Sequence, residues 1–144
     1  MKAFLDSSVL VATFYADHEH HAASIGVFLR FPKKDACCSA HSLAEVYATL
    51  TGMPAPRRVS GNEALLFLGD IRDRLTLIAL DDLEYFQVME ASAAAGLSSG
   101  AIYDAILGHC ALKAKARSIY TWNLKDFERL SPVIALRVKT PERP

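Results

Sequence analysis

Glycine-rich phosphate loops are missing from this 144-residue chain. Neither the Walker pattern nor the dinucleotide-binding pattern occurs, which excludes the commonest ways of cradling a nucleotide in backbone amides. There is no G-x-S-x-G turn, so a serine nucleophile on a strand-to-helix elbow is excluded as well. Asp6-Ser7-Ser8 lacks the second Asp of a D-x-D phosphotransferase loop. Cysteine is scarce: Cys37, Cys38 and Cys110 have no C-x-x-C spacing, and their odd number argues against a disulfide framework. Cys37 and Cys38 sit in an apolar, strand-like stretch, where burial is the expected state, and a cytosolic location follows. His18, His20 and His21 cluster, but His-x-x-x-His spacing is absent and no third ligand is in view, so they read as a polar helix start. No apolar run has the length of a membrane span. The N-terminal apolar stretch meets Asp6 before a signal-like core develops. Sixteen basic and sixteen acidic residues cancel, so overall charge gives no hold on nucleic acid. Phosphate contact must then come from a bound cation or from a local patch. Lys33-Lys34, Arg57-Arg58 and Lys113/Lys115/Arg117 are the candidates, and each reads first as a solvated face. No internal repeat and no low-complexity segment is present.

What is there is a core. Apolar residues make up 51% of the chain, enough for one packed domain. Strand-like and helix-like stretches alternate. A strand over 2–5 leads to a helix over 9–15, and a second helix opens near Asp17–His21 and carries Ile25, Phe28 and Leu29. The strand 36–39 precedes a helix over 40–51. Ser60-Gly61-Asn62-Glu63 forms a capping-box pattern for a helix over 61–73. Next come a strand over 75–80 and a helix that Asp81 or Asp82 caps and Gly96 ends. A buried helix over 98–117, with Ser98 and Ser99 at its cap, precedes a strand over 118–121. A short helix near 125–130 stops at Ser131-Pro132, and 133–138 is the last strand. This alternation predicts an α/β fold: a three-layer α/β/α sandwich on a mostly parallel five-stranded sheet. The domain spans 1–139, and residues 140–144 form a loose tail.

Carboxylates stand out at the ends of these elements. Asp6 follows the first strand and has an evident role as an N-cap. Asp104 lies on a polar stripe of an otherwise apolar helix, where a lone charge needs a partner. Asn123 and Asp126 follow the fourth strand. In parallel sheets, ligands sit beyond the carboxyl ends of the strands at the switch in strand order, which is where Asp6 and Asn123 fall. Glu45 lies nearly opposite the core stripe of its helix; solvation or a Ser42–Glu45 capping box would also explain it. Clustered carboxylates repel one another, and a divalent cation relieves the repulsion. Such an ion also acidifies water and polarises phosphate. The set Asp6, Glu45, Asp104, Asn123 and Asp126 therefore suits metal-assisted phosphodiester hydrolysis.

Four segments carry a family resemblance: LDSSVLVA at 5–12, SLAEVYATL at 42–50, SSGAIYDAILGHCALKAKA at 98–116 and YTWNLKDFERL at 120–130. Together they resemble the PIN-domain ribonucleases, and most of all the VapC-type toxins of toxin–antitoxin pairs. The resemblance implies an endoribonuclease that uses Mg²⁺ or Mn²⁺ and cuts single-stranded stretches of structured RNA, commonly tRNA or rRNA. It implies metal ligation by Asp6 and Asp104, with Glu45 completing the pocket, and supporting hydroxyls from Ser8 and Thr121. The usual fourth acid is replaced by Asn123, which offers a carbonyl oxygen but no charge; Asp126 stands near enough to compensate. A homodimer and a cognate antitoxin partner are implied in the same way. The alternative is a PIN-like module that binds RNA or protein without cutting. Other magnesium phosphoesterases, related exonucleases among them, rank third. A receiver domain fits poorly, because no suitable Asp and Lys follow the third and fifth strands.

Overall fold

The computed structural model describes residues 1–142. The elements in order are β1 (Ala3–Leu5), α1 (Ser7–Phe14), α2 (His21–Arg30), β2 (Ala36–Ser39), α3 (His41–Thr51), α4 (Gly61–Arg74) and β3 (Thr76–Ile78). Then follow α5 (Asp82–Ala94), α6 (Ala101–Lys113), β4 (Ser118–Tyr120), α7 (Leu124–Glu128), α8 (Pro132–Ala135) and β5 (Val138–Lys139). The five strands form one parallel sheet in the order β3-β2-β1-β4-β5. The chain leaves β1 toward β2 and β3, then returns to β1's other side as β4. The switch point therefore lies between β1 and β4.

Period-two alternation divides the core. Ala3, Leu5 and Cys38 face a cluster with Val9, Leu10, Val27, Phe28, Val46, Leu50 and Ile71 from α1–α4. Phe4 and Cys37 face the opposite cluster, with Val88 of α5, Ile106, Leu107 and Cys110 of α6, and Phe127 of α7. Both faces of β1 and β2 are thus covered, which is why β1 and residues 36–38 of β2 are apolar without interruption. Phe4, Leu5 and Leu10 are fully buried, each stabilising the fold by about 1.5–3 kcal/mol. All three cysteines are buried and unpaired.

Local signals set several boundaries as expected. Asp81 and Glu84 form a reciprocal capping box at the start of α5. Gly96 takes φ +72° after α5. The amides of Gly96 and Leu97 then donate to the carbonyls of Ala93 and Ser92, closing the helix in a Schellman arrangement. Ser60 caps α4 through the amide of Glu63.

Other expectations are corrected. Residues 133–138 are not a strand throughout. Ser131 accepts from the Ile134 amide, Pro132 sits in the first turn, and a helical turn forms there. Ser-Pro is a helix start, and it overrides the strand preference of Val133 and Ile134; β5 keeps only Val138–Lys139. Ser98 and Ser99 do not cap α6 with their side chains. Gly100 is the cap residue, and backbone carbonyls of Ser98 and Ser99 accept the first amides. Nor is Ser42–Glu45 a capping box: α3 begins two residues earlier, with Ala40 as its cap residue, and the Ser42 side chain meets Ser7 of α1 instead. Residues 16–20 precede α2 as a turn rather than opening it. Of the expected tail, Pro141 is buried, while Arg143 and Pro144 lie outside the described residues.

Candidate active site

Asp6 leaves β1 in extended backbone (φ −70°, ψ 157°) and caps α1. Its side chain accepts from the Ser8 hydroxyl at 2.7 Å, the Thr121 hydroxyl at 2.7 Å and the Ser8 amide at 3.4 Å. All three contacts fall on Oδ2, which leaves Oδ1 as the oxygen for a ligand. The two hydroxyls are themselves held in place. Ser8 Oγ accepts from the Trp122 amide at 3.0 Å, and Thr121 Oγ1 accepts from the Asn123 amide at 2.9 Å. These bonds tie the ends of β1 and β4 together beneath the site. Asp6 is 3% exposed. Burial pushes its carboxyl above the ordinary range, and the Ser8 and Thr121 hydrogen bonds oppose that rise.

Glu45 arrives from α3. Ser7 Oγ stands 3.2 Å from Glu45 Oε1 and 2.8 Å from Ser42 Oγ. Ser7 has a single proton, and the carboxylate is the stronger acceptor. Ser7 therefore donates to Glu45 and accepts from Ser42. Burial raises the Glu45 carboxyl, the Ser7 bond lowers it, and the charge of Asp6 raises it again. His41 Nε2 lies 3.8 Å from Glu45 Oε1, one helical turn away.

Asp104 arrives from the first turn of α6. Its carboxyl is pushed up to about 6, first by burial and then by the charges of Asp6, Asp126 and Glu45, with Arg129 opposing them. Four carboxylates thus share one field. Asp6, Glu45, Asp104 and Asn123 line a single cavity of about 490 Å³, together with Ser7, Ser8, Thr49, His18, His20 and Trp122.

Asp126 is half-exposed on α7 and does not line that cavity. Arg129 stands between it and the site, 3.7 Å from Asp126 and 3.9 Å from Asp104. The Asn123 side chain makes no cap bond to α7, so its amide is available to the cavity it lines. Of the three basic patches, Lys33-Lys34 and Lys113–Arg117 lead into the starts of β2 and β4. They sit at the opposite edge of the sheet from the acids. Arg57-Arg58 lies in the α3–α4 connection.

Among the described residues, no three His, Cys, Asp or Glu side chains are grouped tightly enough to cage an ion as they stand. The chemistry of the donor set nevertheless suits a hard divalent cation. It offers several carboxylate oxygens and one amide oxygen, with a raised Asp104 that gains from neutralisation.

The histidine cluster read from the sequence as a polar helix start contributes two wall residues instead. His18, Glu19 and His20 reach the cavity because the 16–20 turn folds back over it. His20 stacks on Trp122, centroids 3.7 Å apart and planes 9° apart. The Ser7–Ser42 bridge also joins residues 35 apart in the chain. Nothing in periodicity announces either contact.

Comparison with known proteins agrees with this geometry. The PIN domain model matches residues 3–131. Ribonuclease VapC40 of Mycobacterium tuberculosis is 33% identical over 134 residues, covering 91% of this chain and 96% of that protein. Among solved structures, Mycobacterium tuberculosis VapC20, a toxin that cleaves the sarcin-ricin loop, superposes with a TM-score of 0.67 at 16% identity, over 82% of this chain and 87% of that one. VapBC2 of Rickettsia felis, bound to a DNA fragment from its promoter, gives 0.65 at 16% identity over 99% and 100%. VapBC-1 of nontypeable Haemophilus influenzae gives 0.63 at 16% identity over 97% and 98%. With the acids of β1, α3 and α6 on one cavity at the switch point, and the family model spanning nearly the whole fold, the chain belongs to the PIN-domain family, among the VapC-type ribonucleases.

Proposed function

We propose that this protein is a divalent-cation-dependent endoribonuclease, the toxin of a toxin–antitoxin pair, acting on structured RNA such as tRNA or rRNA. The observation that carries the reading is the acidic cavity, where Asp6, Glu45 and Asp104 meet from three separate elements and Asp104 is driven to about 6. Asp6 and Asp104 would hold Mg²⁺ or Mn²⁺, with Glu45 completing the set and the Asn123 carbonyl in the place of a fourth acid. When bound, such an ion would supply a more acidic water and a polarised phosphate oxygen.

The chain's own groups do the rest. Ser8 and Thr121 favour the ionised form of Asp6 against the effect of burial and fix the carboxylate in direction, at 2.7 Å each. Glu45, raised by burial and by Asp6, is suited to accept a proton from the attacking water. Its Ser7 contact holds the carboxylate toward the cavity. Arg129 offsets part of the repulsion around Asp104 and Asp126. Residues 1–139 form the nuclease domain. A homodimer and an antitoxin segment lying over the acids complete the assembly, as suits a chain related to VapBC complexes. The three reduced thiols suit the cytosol.

The test is cleavage of RNA with Mg²⁺ or Mn²⁺ by wild type, Asp6→Asn and Asp104→Asn, with chelator controls. Wild type cuts and both variants lose at least about 100-fold in rate, the scale of a lost charge-stabilising group. Variants that cut like wild type overturn the assignment. The competing reading, a module that binds without cutting, rests on the uncharged Asn123. Titration calorimetry separates them: no heat with millimolar Mn²⁺ favours the module. A neighbouring reading frame for a small DNA-binding protein supports the toxin role.

A further inference from the structure

The acidic cavity is the middle of three adjoining hollows. On one side it shares Glu45 and Thr49 with a hollow of about 360 Å³ walled by His41 and Tyr103. On the other side it shares Glu19, His20 and Trp122 with one of about 710 Å³ that reaches Pro141. Each flanking hollow is bounded by a stacked aromatic pair. His41 and Tyr103 lie in planes 3° apart with centroids at 5.7 Å, an offset stack. His20 and Trp122 lie 9° apart at 3.7 Å.

Both pairs are tied to the acids. Tyr103 precedes Asp104 on α6, and His41 sits one turn before Glu45 on α3. Trp122 is pinned through its indole NH to Ser24 Oγ at 2.8 Å and through its amide to Ser8 Oγ at 3.0 Å. Trp122 also packs against the α1–α4 core, so part of its role is structural. Tyr103 has no such role: it is 54% exposed. A large exposed ring next to a reactive carboxylate is idle as a core residue.

We propose that these two stacks are platforms for the nucleobases on either side of the bond that is cut, with the backbone phosphate between them over the acids. The inference rests on the ribonuclease reading and adds the residues that grip the substrate. Every base has a π-face, so such platforms hold unpaired strands with little regard to sequence. In a duplex those faces are occupied by neighbouring bases. The arrangement therefore selects nucleotides that are splayed out of a helix. It also answers the charge problem: a chain of zero net charge, with two of its basic patches at the far edge, gains a grip beyond the cation that the acids would hold.

The test compares two labelled strands by fluorescence anisotropy: an unstructured RNA oligonucleotide and an abasic strand of equal length. Both are measured in Ca²⁺ with wild type, Tyr103→Ala, Tyr103→Phe and His41→Ala. Wild type binds the intact strand at least about 30-fold more tightly than the abasic one, about 5-fold or more from each platform. Tyr103→Ala and His41→Ala each lose about 5-fold or more of that preference, the share of their own platform, and Tyr103→Phe keeps it. Equal binding of both strands by wild type, or a full preference in both alanine variants, overturns the proposal and reassigns the rings to a protein contact. Cleavage in Mn²⁺ is scored separately. RNA left uncut with the base preference intact refutes the ribonuclease reading alone.

Discussion

Asp104→Asn should make the metal-free protein more stable while abolishing its chemistry. The Asp104 carboxyl is displaced from its ordinary 3.8 to about 6, by burial and by three neighbouring carboxylates. A displacement of that size penalises the ionised folded state by at most about 3 kcal/mol. The side chain keeps 26% of its surface exposed, so solvent screening reduces the penalty to about 1–2 kcal/mol. The sign follows from linkage. The folded carboxyl binds its proton more tightly than the unfolded one, so the stabilising contribution is full below 3.8. It declines as pH rises and is gone above about 6. At pH 7.5 the substitution removes a repelling charge, and Asn keeps the shape. For a chain of this length, about 1–2 kcal/mol raises Tm by about 2–8 °C. The assay is thermal melting in chelator at pH 7.5 and pH 4.5, for wild type and variant. The gap between them narrows at the lower pH, and Mn²⁺ raises the wild-type Tm but leaves the variant nearly unmoved. A variant that melts at or below wild type at pH 7.5 refutes the idea that repulsion among these acids is held in the empty fold.

Three further substitutions probe the same cavity. Glu45→Gln should slow RNA cleavage by about 10-fold or more while moving Tm by less than about 2 °C, since α3 carries no Ser42–Glu45 capping box; a large melting loss with unchanged turnover restores the capping role. Thr121→Val removes a donor to Asp6 from a fully buried side chain and takes the acceptor away from the part-buried Asn123 amide. It should cost about 1–3 kcal/mol in urea denaturation, with Thr121→Ser recovering most of the loss. Asn123→Asp places another carboxylate on the wall of the cavity; metal-free Tm should fall and the rise on adding Mn²⁺ should exceed that of wild type, a comparison that differential scanning fluorimetry makes directly.

Legibility varied by the range of the forces involved. Asp81 and Glu84, Ser60 and Gly96 act within one turn of their own helix, and the residue pattern displays each of them. Asp6 shows how one residue serves two ends: the extended backbone that caps α1 also delivers its carboxylate to the cavity. Capping by Ser98 and Ser99 failed as an expectation because backbone carbonyls took the first amides of α6. The Ser42–Glu45 box failed because a distant hydroxyl, Ser7, competes for the Ser42 side chain. At 131–135 a local Ser-Pro start outweighed β-branched residues that suggested a strand.

The order of apolar and polar residues, with acids at strand and helix ends, was enough to determine a parallel α/β sheet and to mark Asp6 and Asp104, whereas Glu45 was told apart from a solvated or capping residue only by the four-segment resemblance. Both follow from periodicity and from the cost of burying charge, which act residue by residue. Tertiary structure alone decided that Asn123 lines the cavity and Asp126 stands behind Arg129. It alone brought His20 onto Trp122 and His41 onto Tyr103. Those pairings depend on how helices pack across the end of the sheet, a long-range arrangement that no stretch of neighbouring residues encodes.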